Sequence, residues 1–178
     1  MGNDIYESGK LCRYGKIPGL EKTVSRMVFG TAIGPMIEGK NADELLDAAF
    51  AKGINTFDTA RGYGRAEESL GGWMKRRDNR EQVVVISKCG NCDSDGSVCV
   101  NRKVIETELA ESLQALQTDY IDIYLLHRDD PKTPVSEMID ALNELQKEGK
   151  IKVFGVSNWA HERIEEANRY AKEHQLQG

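Results

Sequence analysis

The reading of this chain turns on residues 54–71, Ile54-Asn-Thr-Phe-Asp58-Thr-Ala-Arg-Gly-Tyr63-Gly-Arg-Ala-Glu67-Glu-Ser-Leu70-Gly71. Ile54 to Phe57 is a short β-branched and aromatic run, the composition of a buried strand. It breaks at Asp58, passes through Tyr63 between two glycines, and re-enters a helix that carries Leu70, Trp73 and Met74. An acid and a tyrosine on the loop after a buried strand are badly placed for packing and well placed for chemistry.

Upstream, residues 11–31 hold two apolar patches around Ile17-Pro18-Gly19-Leu20, expected as a hairpin leading into a first barrel strand, Ser25 to Gly30. Asn41-Ala-Asp-Glu44 offers an N-cap with an acid three residues on. Ala42, Leu45, Leu46, Ala49 and Phe50 follow at helical spacing, and Gly53 is the stop. Downstream, a helix is expected from about Arg65 to Arg77, then Val83-Val84-Val85-Ile86 as a strand covered on both faces. Val104, Ile105, Leu109, Ser112, Leu113 and Leu116 mark one face of the next helix, and Tyr120 to Leu126 is the next strand. Thr133-Pro134 reads as N-cap and first residue of a helix whose buried stripe is Met138, Ile139, Leu142 and Leu145. Ile151 to Val156 is a further strand, and Asn158 to about Glu173 a last helix with Ile164, Ala167 and Ala171 inward.

Strand and helix thus alternate five times, in units of roughly 30 residues, the size of a βα step. Such alternation specifies a parallel sheet with helices outside. An open nucleotide-binding sheet would carry G-x-G-x-x-G after its first strand, and Gly30-Thr-Ala-Ile-Gly34 does not match. In a (β/α)₈ TIM barrel, functional residues collect beyond the C-terminal ends of several strands. Here strand ends deliver Asp58 and Tyr63, then Lys88, His127, and Ser157-Asn158. The expected fold is α/β, of the (β/α)₈ TIM-barrel type, with about five βα units after an N-terminal hairpin. With no composition break or low-complexity tract, residues 1–178 read as one domain.

Composition narrows the function. The 178 residues are 39% hydrophobic and 30% charged, with 24 Lys plus Arg against 29 Asp plus Glu and a net charge of -5. That balance, without a basic block, argues against a nucleic-acid partner. Met1 to Lys10 lacks the apolar core of a signal peptide, and no apolar run approaches the roughly 20 residues of a membrane span. The cytoplasm is the expected compartment, with no membrane partner; oligomeric state is open. Cys12, Cys89, Cys92 and Cys99 could pair, but a core-bearing domain without an export signal does not need disulfides. Cys89-Gly-Asn-Cys92 lacks both the four-ligand spacing of zinc and the strand-to-helix setting of a redox dithiol. No metal site is expected.

Singly, Asp58 is a helix cap, Tyr63 a turn residue, Lys88 a solvated strand end and His127 a structural histidine. Jointly they suit proton transfer to a carbonyl oxygen. A free tyrosine titrates at about 10 and a lysine at about 10.4; an ammonium beside the phenol favours the phenolate. An aspartate keeps that lysine charged and aimed, and a histidine hydrogen bond polarises the carbonyl. Tyr63 is the general acid, Lys88 its tuner, Asp58 the anchor of Lys88, and His127 the electrophilic partner. The missing hydride implies a nicotinamide cofactor.

Asp58-Thr-Ala-x-x-Tyr63-Gly-x-x-Glu67-x-x-Leu70-Gly71 resembles the aldo-keto reductase signature. Ile86-Ser-Lys88 is similar to that family's strand-three lysine segment. Leu113-x-x-Leu116-x-x-Asp119-Tyr-Ile-Asp-Ile-Tyr-Leu-Leu-His127 resembles its strand-four histidine segment, and Gly155-Val-Ser157-Asn158 its strand-five motif. The resemblance implies a catalytic tetrad of Asp58, Tyr63, Lys88 and His127. It also implies cofactor contacts from Gly30, Thr31, Asp58, Ser157 and Asn158. The implied reaction is reduction of a small-molecule aldehyde or ketone by NADPH, with NADH not excluded, reversible toward alcohol oxidation.

A barrel of this type typically needs about 250 residues, and this sequence ends where a sixth strand is due. The family's nicotinamide-stacking residue, pyrophosphate loop and 2′-phosphate group would follow. The expectation is a truncated reductase, inactive alone. A nucleotide- or redox-sensing subunit and a half-barrel assembly module are the other readings.

Overall fold

The computed structural model describes residues 12–91 and 97–178. A short antiparallel hairpin, β1 (Tyr14–Gly15) and β2 (Val24–Ser25), comes first. It is followed by β3 (Val28–Gly30), a one-turn helix α1 (Gly34–Ile37), α2 (Asp43–Ala51), β4 (Thr56–Asp58) and α3 (Ala66–Arg77). Then come β5 (Val84–Cys89), α4 (Arg102–Leu116), β6 (Ile121–Leu126), α5 (Val135–Lys147), β7 (Ile151–Val156) and α6 (His161–Glu173). Strands β3 to β7 form a five-stranded sheet in sequence order, each neighbouring pair parallel. Helices α3 to α6 pack side by side, each against the next. This is the TIM-barrel type of architecture, with five βα units behind an N-terminal hairpin.

Alternation along each strand divides the core between two faces. On the helix side, Phe57, Val85, Cys89, Tyr124 and Leu126 are buried with Leu70, Trp73, Met74, Leu109 and Met138. On the other, hairpin residues Ile17, Leu20 and Val24 pack on Val84, Ile86, Ile123, Leu125 and Val153. The hairpin therefore plugs the N-terminal end of the strands. Lys22 seals the plug: its Nζ lies 3.0 Å from Asp122 Oδ1 and donates to the Val83 carbonyl (2.8 Å) and the Tyr120 hydroxyl (2.9 Å). Arg80 and the Val85 N–H reach the other Asp122 oxygen at 2.8 and 3.0 Å.

Element ends differ from the sequence reading where hydrogen bonds, not composition, decide them. The strand expected from Ile54 begins at Thr56, because Asn55 is committed to the hairpin. Its Nδ2 donates to the Thr23 carbonyl (2.8 Å), and its Oδ1 accepts from the Ser25 N–H (2.9 Å). Ser25 in turn belongs to β2, so the first barrel strand starts at Val28. Asn41 does not cap α2; the N-cap is Ala42, and Asn41 Oδ1 accepts from the Asp43 N–H at 2.7 Å. Pro134 is the N-cap of α5 rather than its first residue. Of the apolar residues at helical spacing in α2, Leu45 is 45% exposed, while Leu46 is fully buried. No helix among the described residues is long and apolar enough to cross a membrane.

Candidate active site

Strand register brings the expected residues to one rim. Gly30, Asp58 and Ile86 are level across β3, β4 and β5, and Lys88 is level with Leu125. Pairing continues past the strand ends: the Thr59 N–H donates to the Ile86 carbonyl (2.8 Å) and the Arg61 N–H to that of Lys88 (3.0 Å). The His127 N–H donates to the Cys89 carbonyl (2.7 Å), and the Ser157 N–H to that of Leu126 (2.8 Å).

Lys88, 6% exposed, is the centre of the cluster. Its Nζ lies 2.8 and 2.7 Å from the two Asp58 oxygens, 2.9 Å from the Thr59 carbonyl oxygen and 3.4 Å from the Tyr63 hydroxyl. An ammonium has three N–H donors, and these three residues account for them. The Thr59 carbonyl is a partner that no sequence signal could disclose, since every residue carries one.

Tyr63 approaches from a turn that needs glycine. Gly64 has φ +59°, and a Cβ there would lie 2.7 Å from the Ile37 carbonyl oxygen. That same oxygen accepts the Arg65 N–H at 2.9 Å, so the loop is drawn tight against α1. Positive φ and close backbone approach together exclude a side chain. The Tyr63 ring centroid is 4.8 Å from Lys88 Nζ and 5.6 Å from the His127 ring, which it meets edge-on.

His127 is 8% exposed. Burial, then the charges of Lys88 and Arg128, hold its imidazole below the ordinary value of 6.5, with Asp58 acting the other way. It is therefore neutral at neutral pH. Its Nδ1 is buried without a partner among the described residues. Orphaned buried N–H donors are rarer than under-satisfied acceptors, which favours the proton on Nε2. Because the folded chain releases this proton at lower pH than the unfolded chain, the unfolded state binds more protons between the two values. Acidification through the imidazole range thus costs stability through His127, and the contribution levels off once the unfolded chain's imidazole is neutral as well. An NMR titration of the imidazole, assigned with His127→Gln, is expected to give a midpoint below 6.5; a midpoint above it would contradict this electrostatic environment.

The remaining expected positions flank the cluster. At the end of β3, the Thr31 N–H donates to the Asp58 carbonyl at 2.9 Å, while Thr31 Oγ1 is buried with no partner among the described residues. Beyond β7, Asn158 adopts φ 58° and its Nδ2 donates to the His127 carbonyl (2.9 Å) and to Ser157 Oγ (3.0 Å). This leaves the Asn158 amide oxygen as an acceptor. Asp58, Tyr63, Lys88 and His127 thus form one contiguous cluster, with Gly30-Thr31 at one flank and Ser157-Asn158 at the other.

The two acids that follow His127 are engaged in the local architecture. Asp130 accepts from the Val100 and Lys132 N–H groups (3.2 and 3.0 Å), and Asp129 meets Arg163 at 3.1 Å, so the acids after His127 turn and anchor the chain. Burial pushes the Cys89 thiol up to about 12. Cys92 lies outside the described residues, and the C-x-x-C reading with it. Among the described residues, no three His, Cys, Asp or Glu side chains are grouped to hold a metal ion.

The strand tips of this TIM-barrel-type sheet thus gather a phenol, an ammonium, a carboxylate and an imidazole. The sequence model described as the Aldo/keto reductase family matches residues 26–177. The chain is 36% identical over 162 residues to aldo-keto reductase YhdN of Bacillus subtilis, covering 86% of this chain and 49% of that protein. It is 35% identical over 148 residues to norsolorinic acid reductase B of Dothistroma septosporum, covering 77% and 38%. Among solved structures, aldo-keto reductase AKR11C1 from Bacillus halodurans, in its holo form, superposes with a TM-score of 0.75 at 30% identity, covering 88% of this chain and 54% of that one. The chain belongs to the aldo/keto reductase family. It spans about half the length, or less, of these relatives.

Proposed function

We propose that this chain carries the proton-transfer half of a nicotinamide-dependent carbonyl reductase, converting an aldehyde or ketone to an alcohol and reversible toward oxidation. The observation that carries this reading is the Lys88 ammonium shared between the Asp58 carboxylate and the Tyr63 hydroxyl, with His127 against the same phenol ring.

Tyr63 is the general acid: its hydroxyl gives a proton to the carbonyl oxygen as negative charge develops there. Lys88 supports that transfer by holding a positive charge beside the phenol oxygen, which favours the phenolate left behind. Asp58 aims the ammonium through a charge-assisted bond, and the Thr59 carbonyl fixes its third direction. His127, neutral and protonated on Nε2, donates a hydrogen bond to the same carbonyl oxygen and orients it.

The rim also suits a nicotinamide. A carboxamide offers both donors and an acceptor, matching the free Asn158 amide oxygen and the Ser157 hydroxyl, while the orphaned Thr31 Oγ1 at the opposite flank awaits a polar partner. Gly30, Thr31, Asp58, Ser157 and Asn158 are the residues proposed to hold it; when bound, it supplies the hydride. The cofactor is proposed to be NADPH, with NADH assayed beside it.

The test is a nicotinamide-fluorescence titration followed by turnover of a generic aldehyde. The isolated 178-residue chain is expected to bind more weakly than micromolar, its contacts being confined to the ends of β3, β4 and β7. A barrel completed with the C-terminal half of the Bacillus halodurans relative is expected to bind and turn over. Binding without turnover in the completed barrel would sink the reductase reading and favour nucleotide sensing.

A further inference from the structure

On the face of β5 opposite Lys88, a second polar contact lies outside the cluster just described. Side chains alternate along a strand, so Lys88 enters the rim while Ser87 enters the layer between sheet and helices. There Ser87 Oγ donates to Glu67 Oε1 at 2.6 Å, the length of a charge-assisted O–H···O⁻ bond. Ser87 is 0% and Glu67 3% exposed, so neither has bulk water as an alternative partner. Burial raises the Glu67 carboxyl above the usual glutamate range, while the Ser87 hydrogen bond acts against that rise. A buried carboxyl on a helix facing a sheet is costly where an apolar side chain would pack, and packing alone does not explain it.

Position explains it better. Glu67 sits on the first turn of α3, four residues after Tyr63. Ser87 is the immediate neighbour of Lys88. Beside the Arg61 N–H, which donates to the Lys88 carbonyl from the loop before Tyr63, this hydrogen bond joins the helix behind the phenol to the segment that carries the ammonium. Tyr63 itself lies between Gly62 and Gly64 on a loop tied to α1 by the Arg65 N–H and to β5 by the Arg61 N–H, and the Glu67–Ser87 bond adds a side-chain tie on the helix side of the sheet. Asp58 and Thr59 place Lys88 relative to β4; the start of α3 places Tyr63, and Glu67 ties that start to β5.

We propose that Glu67 and Ser87 are positioning residues whose hydrogen bond locks the Lys88 strand tip to the helix behind Tyr63, holding ammonium and phenol at their 3.4 Å separation. This rests on the reading of Tyr63 and Lys88 as the proton-transfer pair. It needs no cofactor to test. In protein labelled with ¹³C at tyrosine Cζ, the six tyrosines give resonances among which Tyr63 is identified by its loss in Tyr63→Phe. Lys88→Met measures how far the ammonium displaces that resonance. Ser87→Ala and Glu67→Ala are expected to shift it toward the Lys88→Met position. Glu67→Gln, which keeps an acceptor for the Ser87 hydroxyl, is expected to restore the parent position. Far-UV circular dichroism confirms folding, and if Glu67→Ala unfolds, the smaller deletion in Ser87→Ala carries the comparison. Folded Ser87→Ala with the parent Tyr63 resonance would overturn the positioning role. A resonance unmoved by Lys88→Met would instead overturn the Tyr63–Lys88 pairing, so the two failures are told apart.

Discussion

Replacing Tyr63 with phenylalanine is expected to lower carbonyl turnover in the completed barrel by roughly 10²–10⁴-fold, the usual contribution of a positioned general acid. The substitution removes one oxygen and little else. The ring keeps its packing against the core and its edge-on contact with His127. Lys88 keeps its two shorter partners, Asp58 and the Thr59 carbonyl, and loses only the 3.4 Å contact. Stability should therefore change little, because the lost hydrogen bond is long and the cavity is no larger than a hydroxyl. The loss should fall on kcat, with KM for the aldehyde nearly unchanged, as for an interaction made only in the transition state. Steady-state kinetics beside a thermal melt separate these effects. A phenylalanine variant that turns over at the parent rate would remove the phenol from the mechanism.

The second large effect is on folding rather than chemistry, at the other end of the strands. Asp122 is 0% exposed and faces two cations, Lys22 at 3.0 Å and Arg80 at 2.8 Å. The Tyr120 ring beside them is approached by three: Arg80 Cζ at 4.0 Å, Lys152 Nζ at 4.6 Å and Lys22 Nζ at 5.0 Å. Burial lowers the Lys22 ammonium below its ordinary value of 10.5, and the charge of Asp122 is the largest influence raising it. Asp122→Ala leaves those cations facing one another in a poorly solvated pocket and orphans the Val85 N–H. Removing one partner of a buried ion pair costs about 3–5 kcal/mol, and that loss is expected in the urea unfolding free energy. Asp122→Ala combined with Lys22→Met should recover part of it, since one stranded charge goes. A single variant as stable as the parent would show that water already solvates this cluster.

The two ends of the sheet were unequally legible. Asp58, Tyr63, Lys88 and His127 could be read as a group because each follows an apolar run. Parallel strands laid down in sequence order carry those residues to one end of the sheet, whatever side chains lie between. The register sets them along that end at different depths: Gly30, Asp58 and Ile86 share one level, and Lys88 lies two residues further on, level with Leu125. Asp122 carried no such signal. Inside Tyr120-Ile-Asp-Ile-Tyr it looks like an ordinary alternation of apolar and polar residues, and Lys22 and Arg80 stand far away along the chain. Glu67 was visible only as part of a motif, since helical spacing does not say which carboxyl will meet a serine on a strand.

Hydrophobic periodicity and turn chemistry in the sequence alone determined the element order, the parallel βα architecture and the strand ends on which chemistry could sit. These are local properties, set by which side chains must leave water and where the backbone can turn. Only the tertiary structure decided the boundaries at Asn55 and Asn41, the neutral buried imidazole of His127, and the sharing of one ammonium among Asp58, Thr59 and Tyr63. Each of those depends on a distance or a degree of solvation between groups remote in sequence, and such quantities exist only once the chain has closed on itself.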